Sequence, residues 1–324
     1  MAELTKDMVE QWLLTEDYEF YLDKFREKHS VDPTNSNFYK AVERLVLEKK
    51  LKRLRRGLYK QIKHINPVKI FSVKRERRPP FELFFPCDYD TRQPFPFNED
   101  VVIREGDCIL IAGFSNYGKT ALAVNFLGEN IDYNPALLGN EFTKDDEPTP
   151  RFLNRLDAMD WVNWVDDEGE DKFTLLPVYD DFEEYIIKNR INIVDWINLR
   201  GEYYMISNVM EDIKRAVGDG IAILVIQKNE DKEYGRGGAP TKDFADLELL
   251  IDSHGENESR LTVGKTKETH RRITGRSWAY GIAKGVKLTD IREVVKCPRC
   301  YGKKWVKFGN SSKPCDCRIG WIDK

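Results

Sequence analysis

Apolar residues recur at helical spacing through the first 50 positions of the chain. Three segments show this pattern: TKDMVEQWLL (5–14), DYEFYLDKFREKH (17–29) and NSNFYKAVERLVLEKK (35–50). Each predicts a helix, and the polar residues 35–37 offer an N-cap for the third. The next segment, LKRLRRGLYKQI (51–62), alternates apolar and basic residues around Gly57. This alternation predicts a short β-hairpin.

Proline and phenylalanine dominate the following stretch. Residues 66–96 contain six of the fourteen prolines, several of them beside aromatic residues. Proline-rich chain is semi-rigid and seldom forms a domain of its own. We therefore predict a linker over 66–99, whose phenylalanines pack on the next domain or on a neighbouring subunit.

Between about residues 100 and 290, apolar β-rich runs alternate with helical patterns. The predicted strands are CILIAGF (108–114), PALLGNE (135–141), INIVDWI (191–197) and AILVIQK (222–228). The predicted helices are TALAVNFLGEN (120–130), TPRFLNRLDAMDWVNWV (149–165) and YYMISNVMEDIKRAV (203–217). Such alternation is typical of a parallel sheet covered on both faces, so the fold class is α/β.

The composition is that of a globular protein, with 41% hydrophobic and 33% charged residues among 324. No apolar run approaches the ~18 residues that span a bilayer, and the first residues lack a signal-peptide core. We therefore expect a cytoplasmic protein without a membrane partner.

Charge is distributed unevenly along the chain. Residues 1–65 hold 14 basic and 11 acidic residues, and residues 296–324 hold 8 and 2. Because the formal net charge is -3, the middle carries -12. Basic ends suggest a nucleic-acid partner, although solvation of the surface is an alternative explanation.

The basic residues of the first segment concentrate on the third predicted helix and the hairpin. Three helices followed by a basic hairpin resemble a winged helix-turn-helix domain over 1–65. The resemblance implies that the third helix enters the DNA major groove and that the cluster contacts phosphates. The predicted DNA-binding residues here are Lys40, Arg44, Arg53, Arg55 and Arg56. A winged-helix module that contacts protein is the alternative.

Residues 113–120 read GFSNYGKT and fit G-x-x-x-x-G-K-[ST] in full, between an apolar strand and a helix. In a phosphate-binding loop of this type, backbone amides surround the phosphates at a helix N-terminus. The glycines permit the tight path, Lys119 neutralises the β- and γ-phosphates, and the Thr120 hydroxyl binds Mg²⁺. The predicted ATP-binding residues are Gly113, Ser115, Asn116, Tyr117, Gly118, Lys119 and Thr120.

A P-loop also needs a carboxylate for the metal. Asp195 ends an apolar strand and is the candidate Mg²⁺ ligand; a simple strand-end cap is the alternative. Glu141 ends the strand that follows the P-loop helix. Here the sequence resembles the RecA/DnaB-like class of P-loop ATPases, which implies that Glu141 activates the attacking water. The alternative is that Glu141 only begins an acidic loop.

The resemblance extends to AILVIQKNEDKEYGRGGAP (222–240). It implies that Gln227 reads the γ-phosphate and that a Gly-rich loop with Lys232 and Arg236 faces DNA. Together with GFSNYGKT, the QK…GRGG pattern resembles ATPases of phages and mobile elements.

The segment LTVGKTKETHRRITGRSWAYGI (261–282) resembles the last strands of this class. The resemblance implies that Lys265 and Lys267 reach the γ-phosphate of a neighbouring subunit, and hence a homo-oligomeric ring or filament. No Arg stands at 267, so Arg271 or Arg272 could substitute, and a solvated basic hairpin is the alternative.

The last 28 residues contain four cysteines in the spacing C-x₂-C-x₁₄-C-x-C: Cys297, Cys300, Cys315 and Cys317. Two short knuckles supply a tetrahedral thiolate shell, which in an intracellular protein favours Zn²⁺ over disulfides. CPRCYGK resembles half of a DnaJ-type zinc domain or a zinc ribbon. The nearby aromatics either form a small core around the metal or stack on bases.

Four parts are therefore predicted along the chain: a winged helix (1–65), a linker (66–99), a RecA-like P-loop ATPase (100–290) and a four-Cys zinc finger (291–324). The expected activity is DNA-dependent ATP hydrolysis, as a helicase or translocase that works with replication proteins in replication or recombination of a phage or mobile element. The alternative is an ATP-switched DNA-binding regulator or helicase loader with slow hydrolysis. The Gln after a strand and the Gly-rich loop argue against a small-molecule kinase.

Overall fold

A computed structural model describes residues 4–62, 70, 78–145, 147–195, 205–228, 239–308 and 311–324. The chain divides into two compact units, residues 1–77 and 78–324. The finer division into four parts stays a prediction. None of the helices in the described ranges combines the length and the apolar character that crossing a bilayer demands.

Over its described residues, the first unit contains three helices and a three-stranded antiparallel sheet of order β1-β3-β2. Its elements are α1 (Lys6–Leu13), β1 (Glu19–Tyr21), α2 (Leu22–Lys28), α3 (Ser36–Leu47), β2 (Leu51–Arg55) and β3 (Leu58–Gln61). Asn35 caps α3, since its side-chain oxygen accepts from the amides of Asn37 and Phe38. Phe25 and Phe38 are fully buried in the core of this unit.

One element of this unit differs from the sequence prediction. The helical pattern over 17–29 predicts one helix, but α2 begins only at Leu22 and residues 19–21 form β1. Phe20 lies opposite Tyr59 in β3, and it is buried while its two neighbours are exposed. Pairing with the hairpin therefore prevails over local helical spacing. The identity of this unit as a winged helix stays a prediction.

The second unit is built on strands and helices in alternation. Its strands are β4 (Cys108–Gly113), β5 (Ala136–Leu138), β6 (Thr143–Lys144), β7 (Glu147–Pro148), β8 (Thr174–Leu176), β9 (Ile191–Val194), β10 (Ile221–Gln227), β11 (Leu247–His254), β12 (Glu258–Thr266), β13 (Ser277–Ala283), β14 (Lys287–Lys296), β15 (Trp305–Phe308), β16 (Ser311–Pro314) and β17 (Trp321–Asp323). Its helices are α4 (Lys119–Glu129), α5 (Pro150–Ala158), α6 (Phe182–Tyr185), α7 (Ile206–Ala216) and α8 (Ala239–Phe244).

Ten of these strands form one sheet in the order β17-β14-β13-β12-β11-β4-β10-β9-β5-β8. The six strands from β11 to β8 in this order are parallel. The four from β12 to β17 are antiparallel. The predicted α/β class is confirmed, and an antiparallel extension is added to the parallel part.

Residues of β4 alternate between two hydrophobic clusters, which shows that the sheet is covered on both faces. Ile109 and Ile111 lie in one cluster, and Cys108 and Leu110 lie in the other. The first cluster also contains phenylalanines that the sequence places in the linker: Phe85, Phe95 and Phe97. These rings pack within their own unit and complete one face of the sheet.

Helix α5 is shorter than the apolar pattern over 149–165 predicts, because it ends at Ala158. The indole of Trp164 turns back and donates to the carbonyl oxygen of Leu156 at 3.1 Å. The indole of Trp161 donates to Glu129 at 3.1 Å. Large apolar residues beyond the helix thus find partners without continuing it.

Candidate nucleotide site

Four neighbouring parallel strands end at one edge of the sheet and carry the predicted nucleotide residues. The strand order β4-β10-β9-β5 places the P-loop, Gln227, Asp195 and Glu141 in sequence across this edge. Ligands of open parallel sheets bind beyond the carboxyl ends of the strands. The sheet topology therefore brings together four features that are up to 114 residues apart in the chain.

The P-loop joins β4 to α4, as the motif predicts. Gly118 stands immediately before α4 with φ +88°, a left-handed conformation that favours glycine. A Cβ at this position would also displace the terminal methyl of Ile282, but the backbone conformation is what requires glycine. At Gly113, a Cβ would lie 2.8 Å from the carbonyl oxygen of Ile251 in the adjacent strand.

Three hydrogen bonds hold the loop in place. The Lys119 ammonium donates to the carbonyl oxygen of Phe114 at 2.6 Å. The Gln227 amide donates to the Ser115 hydroxyl at 2.9 Å, which links the end of β10 to the loop. The Ser259 hydroxyl, at the start of β12, donates to the carbonyl oxygen of Tyr117 at 3.0 Å.

A cleft of about 620 Å³ opens above the loop. Residues 115–120 line it, together with Glu141, Asp195 and Gln227. Its volume falls in the range of small-molecule and cofactor sites. The predicted roles of the individual residues stay predictions, but the cleft brings their side chains together.

Asp195 is 4% exposed and follows β9 directly. Burial raises the pKa of its carboxyl from 3.8 to about 6, while a hydrogen bond from Thr120 lowers it. The nearby Glu141 raises the pKa further, and Lys119 and Arg155 lower it. The ionised carboxylate is therefore costly without a cation, which suits a metal ligand.

We expect Asp195→Asn to stabilise the protein in Mg²⁺-free buffer at pH 8. The raised folded-state pKa means that ionisation opposes folding, an effect fully present above pH 6 and absent below pH 3.8. Two pKa units correspond to at most about 3 kcal/mol. Thermal melting of both proteins at pH 8 and pH 4 measures the effect. A variant that melts at or below the wild-type temperature at pH 8 would contradict this account.

Several residues line the cleft without having been predicted from the sequence. Arg151 and Arg155 lie one helical turn apart on α5, and both face the cleft. Within the described residues, neither forms a salt bridge. Residues 256–259, which lead from the turn after β11 into the start of β12, line the cleft as well. The i, i+4 spacing of the arginines after Glu141 is the one signal in the sequence that could have revealed the first pair.

The two lysines predicted to act on a neighbouring subunit make contacts within their own chain. The Lys265 ammonium donates to the carbonyl oxygens of Lys242 and Asp243 at 2.7 and 3.1 Å. The Lys267 ammonium lies 2.8 Å from the buried carboxylate of Asp246, which raises the pKa of Lys267. Neither lysine is among the residues that line the cleft of its own chain.

The predicted DNA-binding residues of the first unit are exposed. Lys40 and Arg44 lie on α3, and Arg53, Arg55 and Arg56 lie on β2 or in the turn that follows it. Arg55 donates to the hydroxyl of Tyr21 at 2.7 Å. Among the described residues, no carboxylate forms a salt bridge with any of these five. Lys232 and Arg236 lie outside the described residues.

The four cysteines of the C-terminal segment converge. Their sulfur atoms lie within 4.8 Å of one another, with Cys297–Cys315 at 3.8 Å and Cys300–Cys317 at 3.5 Å. Four thiolates around Zn²⁺ at 2.3 Å have sulfur–sulfur separations of roughly 3.8 Å. Backbone amides of residues 300 and 299 lower the pKa of Cys297 to about 7, whereas burial raises the pKa of Cys317 to about 12. The cluster therefore fits a tetrahedral metal ion.

No protein-family model matches the sequence, and no curated protein is similar to it. Among solved structures, the chain is similar to a RadB recombinase, with 15% identity over 58% of this chain and 91% of that one (TM-score 0.43). It is also similar to a KaiC-like protein from the hyperthermophilic archaeon Pyrococcus horikoshii OT3, with 18% identity over 65% of this chain and 99% of that one (TM-score 0.45).

Proposed function

We propose that the chain is an ATP hydrolase of the RecA/DnaB-like class whose hydrolysis is coupled to DNA. The observation that carries the proposal is the meeting of P-loop, Gln227, Asp195 and Glu141 at the ends of four adjacent parallel strands around one cleft. These groups supply a phosphate cradle, a metal ligand, a base and a sensor. Simple nucleotide binding would not require the last two.

In this site, backbone amides of the P-loop and the Lys119 ammonium hold the β- and γ-phosphates. Lys119 would leave the Phe114 carbonyl, 2.6 Å away, to reach them. The Thr120 hydroxyl and the Asp195 carboxylate would hold Mg²⁺, which neutralises charge on the phosphates. Glu141 accepts a proton from the attacking water. The guanidinium groups of α5 add positive charge to the cleft.

Gln227 is placed to report on the γ-phosphate. Its amide bonds the Ser115 hydroxyl of the P-loop at 2.9 Å, so a phosphate that displaces this contact would move the end of β10. The residues that follow include Lys232 and Arg236, which we propose to contact DNA. Binding of the γ-phosphate would thus move the end of β10 and, with it, the residues that we propose to contact DNA.

The exposed basic residues of α3 and β2 support a DNA contact by the first unit, which we propose to be a winged helix. The four-cysteine segment would bind Zn²⁺, and its basic residues would give the chain a second region that contacts DNA. Because this class forms its site between subunits, we further propose a ring or filament with Lys265 and Lys267 acting on the neighbouring subunit. Helicase or translocase action in a phage or mobile element is the most specific form of the proposal.

We expect charge reversal at Arg53, Arg55 and Arg56 to abolish most DNA stimulation of ATP hydrolysis. If the unmodified protein contacts about 4–6 phosphates, log K for DNA falls against log salt with a slope near -4 to -5. Removing three contacts should reduce the slope by about 3. ATPase assays and DNA titrations at several salt concentrations measure both effects.

Reversal of three other exposed lysines, Lys24 and Lys28 of α2 and Lys188 of the second unit, provides a control with the same change in net charge. It should leave the slope within about 1 of the unmodified value. Equal loss in both variants would mean that only net charge matters. If DNA of every length leaves the ATPase rate of the unmodified protein unchanged, DNA coupling itself is contradicted.

A switch is the second candidate, in which ATP binding controls a DNA-binding regulator or helicase loader. It is favoured by the separation of the chain into two compact units, since the basic first unit could bind DNA without the ATPase core. A motor stops working when hydrolysis is blocked, whereas a switch keeps its ATP-dependent binding.

A further inference from the structure

The last strand of the chain belongs to the same sheet as the nucleotide site. β17 pairs with β14 in antiparallel register, with Lys296 opposite Trp321 and Val294 opposite Asp323. This short strand begins four residues after Cys317, the last cysteine of the cluster. The C-terminal segment is thereby built into the edge of the ATPase sheet.

Arg292 connects this strand to the cleft. Its guanidinium forms two parallel hydrogen bonds with the carboxylate of Glu258 at 2.7 and 2.8 Å, and its Nε donates to Asp323 at 3.0 Å. Bidentate arginine–carboxylate pairs fix both distance and orientation. The bond from Arg292 also lowers the pKa of Glu258, which keeps the carboxylate ionised. Glu258 is one of the residues that line the cleft.

Arg260 makes a second connection. Its guanidinium lies 4.0 Å from the ring centroid of Trp321, a cation–π contact, and 3.3 Å from the carboxylate of Asp252. Asp252 accepts a hydrogen bond from Lys228 at 2.6 Å. The backbone amide of Lys228 donates to Gly113 at 2.9 Å, at the base of the P-loop.

Ser259 stands between the two residues that these connections hold. Neighbouring side chains of a strand point to opposite faces, so Glu258 and Arg260 share one face and Ser259 points to the other. There its hydroxyl donates to the P-loop carbonyl of Tyr117 at 3.0 Å. On one face of β12, Asp323 and Trp321 of β17 therefore hold the strand through Arg292 and Arg260. On the other face, Ser259 of the same strand holds the P-loop.

We propose that β17 is a structural support of the nucleotide site and that Arg292 and Arg260 are positioning residues. Through them, Asp323 and Trp321 hold residues 256–259 against the cleft and the P-loop. The inference rests on the proposed nucleotide binding. It assigns the C-terminal segment a role in the ATPase site in addition to any contact with DNA.

The test compares Arg292→Gln with Arg276→Gln in the full-length protein. Arg276 forms a bidentate pair with Glu293, at 2.8 and 2.9 Å with similar exposure, and Glu293 also binds Lys324, which follows β17. Arg276 also lies 3.9 Å from Asp100, but none of its contacts among the described residues is with residues 256–259. We expect Arg292→Gln to raise the Kd of a fluorescent ATP analogue about 5- to 10-fold, as for coupling through positioning residues. Arg276→Gln should stay within about twofold. Arg292→Lys, which keeps the charge but loses the fork, should give an intermediate value.

Further measurements separate positioning from general destabilisation. In Arg292→Gln, KM for ATP should rise with little change in kcat. Trp321→Ala should have the same effect, whereas Trp305→Ala, at an exposed position of β15, should not. Equal losses in both arginine variants that follow their melting temperatures would overturn the inference. Wild-type affinity in Arg292→Gln would also overturn it, provided that Lys119→Ala abolishes binding. Lack of nucleotide binding by the wild type would instead contradict the proposed function.

Discussion

Glu141→Gln is expected to lower kcat for ATP hydrolysis by a factor of about 10²–10⁴, the range that general-base catalysis contributes. Affinity for Mg²⁺-ATP should change only a few-fold, because the amide has nearly the shape of the carboxylate. It should rise rather than fall, since Glu141 opposes ionisation of Asp195 in the same cleft. Steady-state hydrolysis and nucleotide titration measure the two quantities separately.

Two variants provide the comparison for Glu141. Glu147→Gln changes the same residue type six positions further on, in the exposed strand β7, which does not line the cleft, and should hydrolyse ATP normally. Lys119→Ala should lose nucleotide binding itself. Near-normal hydrolysis by Glu141→Gln would remove Glu141 from the mechanism and leave another group to activate water.

The Glu141→Gln variant also separates the two candidate functions, a motor and a switch. If the protein is a helicase or translocase, the Glu141→Gln variant should bind ATP and DNA but should neither separate strands nor move along DNA. A switch keeps its ATP-dependent DNA or partner binding, and its function in an assay of recruitment is preserved. Strand displacement and ATP-dependent DNA binding, measured on one preparation, therefore assign the chain to one class or the other.

The parts of the site that follow from the sequence are those in which one local motif determines one geometry. GFSNYGKT predicts a strand, a loop and a helix, and all three are present. The end of an apolar strand predicts Asp195, and the resemblance to the RecA/DnaB-like class implies Glu141; the sheet places both at the carboxyl ends of neighbouring parallel strands. The cysteine spacing likewise predicted a cluster whose sulfur atoms meet.

The parts that the sequence does not predict depend on contacts between distant positions. Glu258 and Arg292 are 34 residues apart, and only the antiparallel path through β12, β13 and β14 brings them together. The strand β1 has three residues and exists because β3 pairs with it. Glu258 and Arg292 look like ordinary charged surface residues in the sequence, and the residues of β1 look like part of a helix.

Contacts of Lys267 limit how the proposed action on a neighbouring subunit could work. Its side chain is 67% exposed, yet its ammonium pairs with Asp246, which is 3% exposed and also pairs with Lys214. Reaching a neighbour's phosphate would break the Lys267 pair, but Lys214 would still compensate the buried carboxylate. Release of Lys267 is therefore less costly than breaking an isolated buried pair.

The four-cysteine cluster leads to the second large expected effect. We expect one Zn²⁺ per chain and its complete loss in a variant with Cys300→Ser and Cys315→Ser. Zinc binding contributes about 10–16 kcal/mol to folding in small zinc modules, and the described part of this cluster packs on little more than Val306. Elemental analysis measures the metal.

Cys87→Ser is the matched control, because Cys87 lies outside the cluster and burial raises the pKa of its thiol to about 12. It should retain the full metal content. Full zinc in the double variant, or a wild type whose four thiols carry no metal, would contradict a zinc role for the cluster. If β17 supports the nucleotide site, the double variant should also bind ATP as weakly as Arg292→Gln, because the strand follows the cluster directly and its pairing with β14 depends on the segment being folded. Weak binding together with zinc loss would thus connect the metal at one edge of the sheet to the P-loop at its centre.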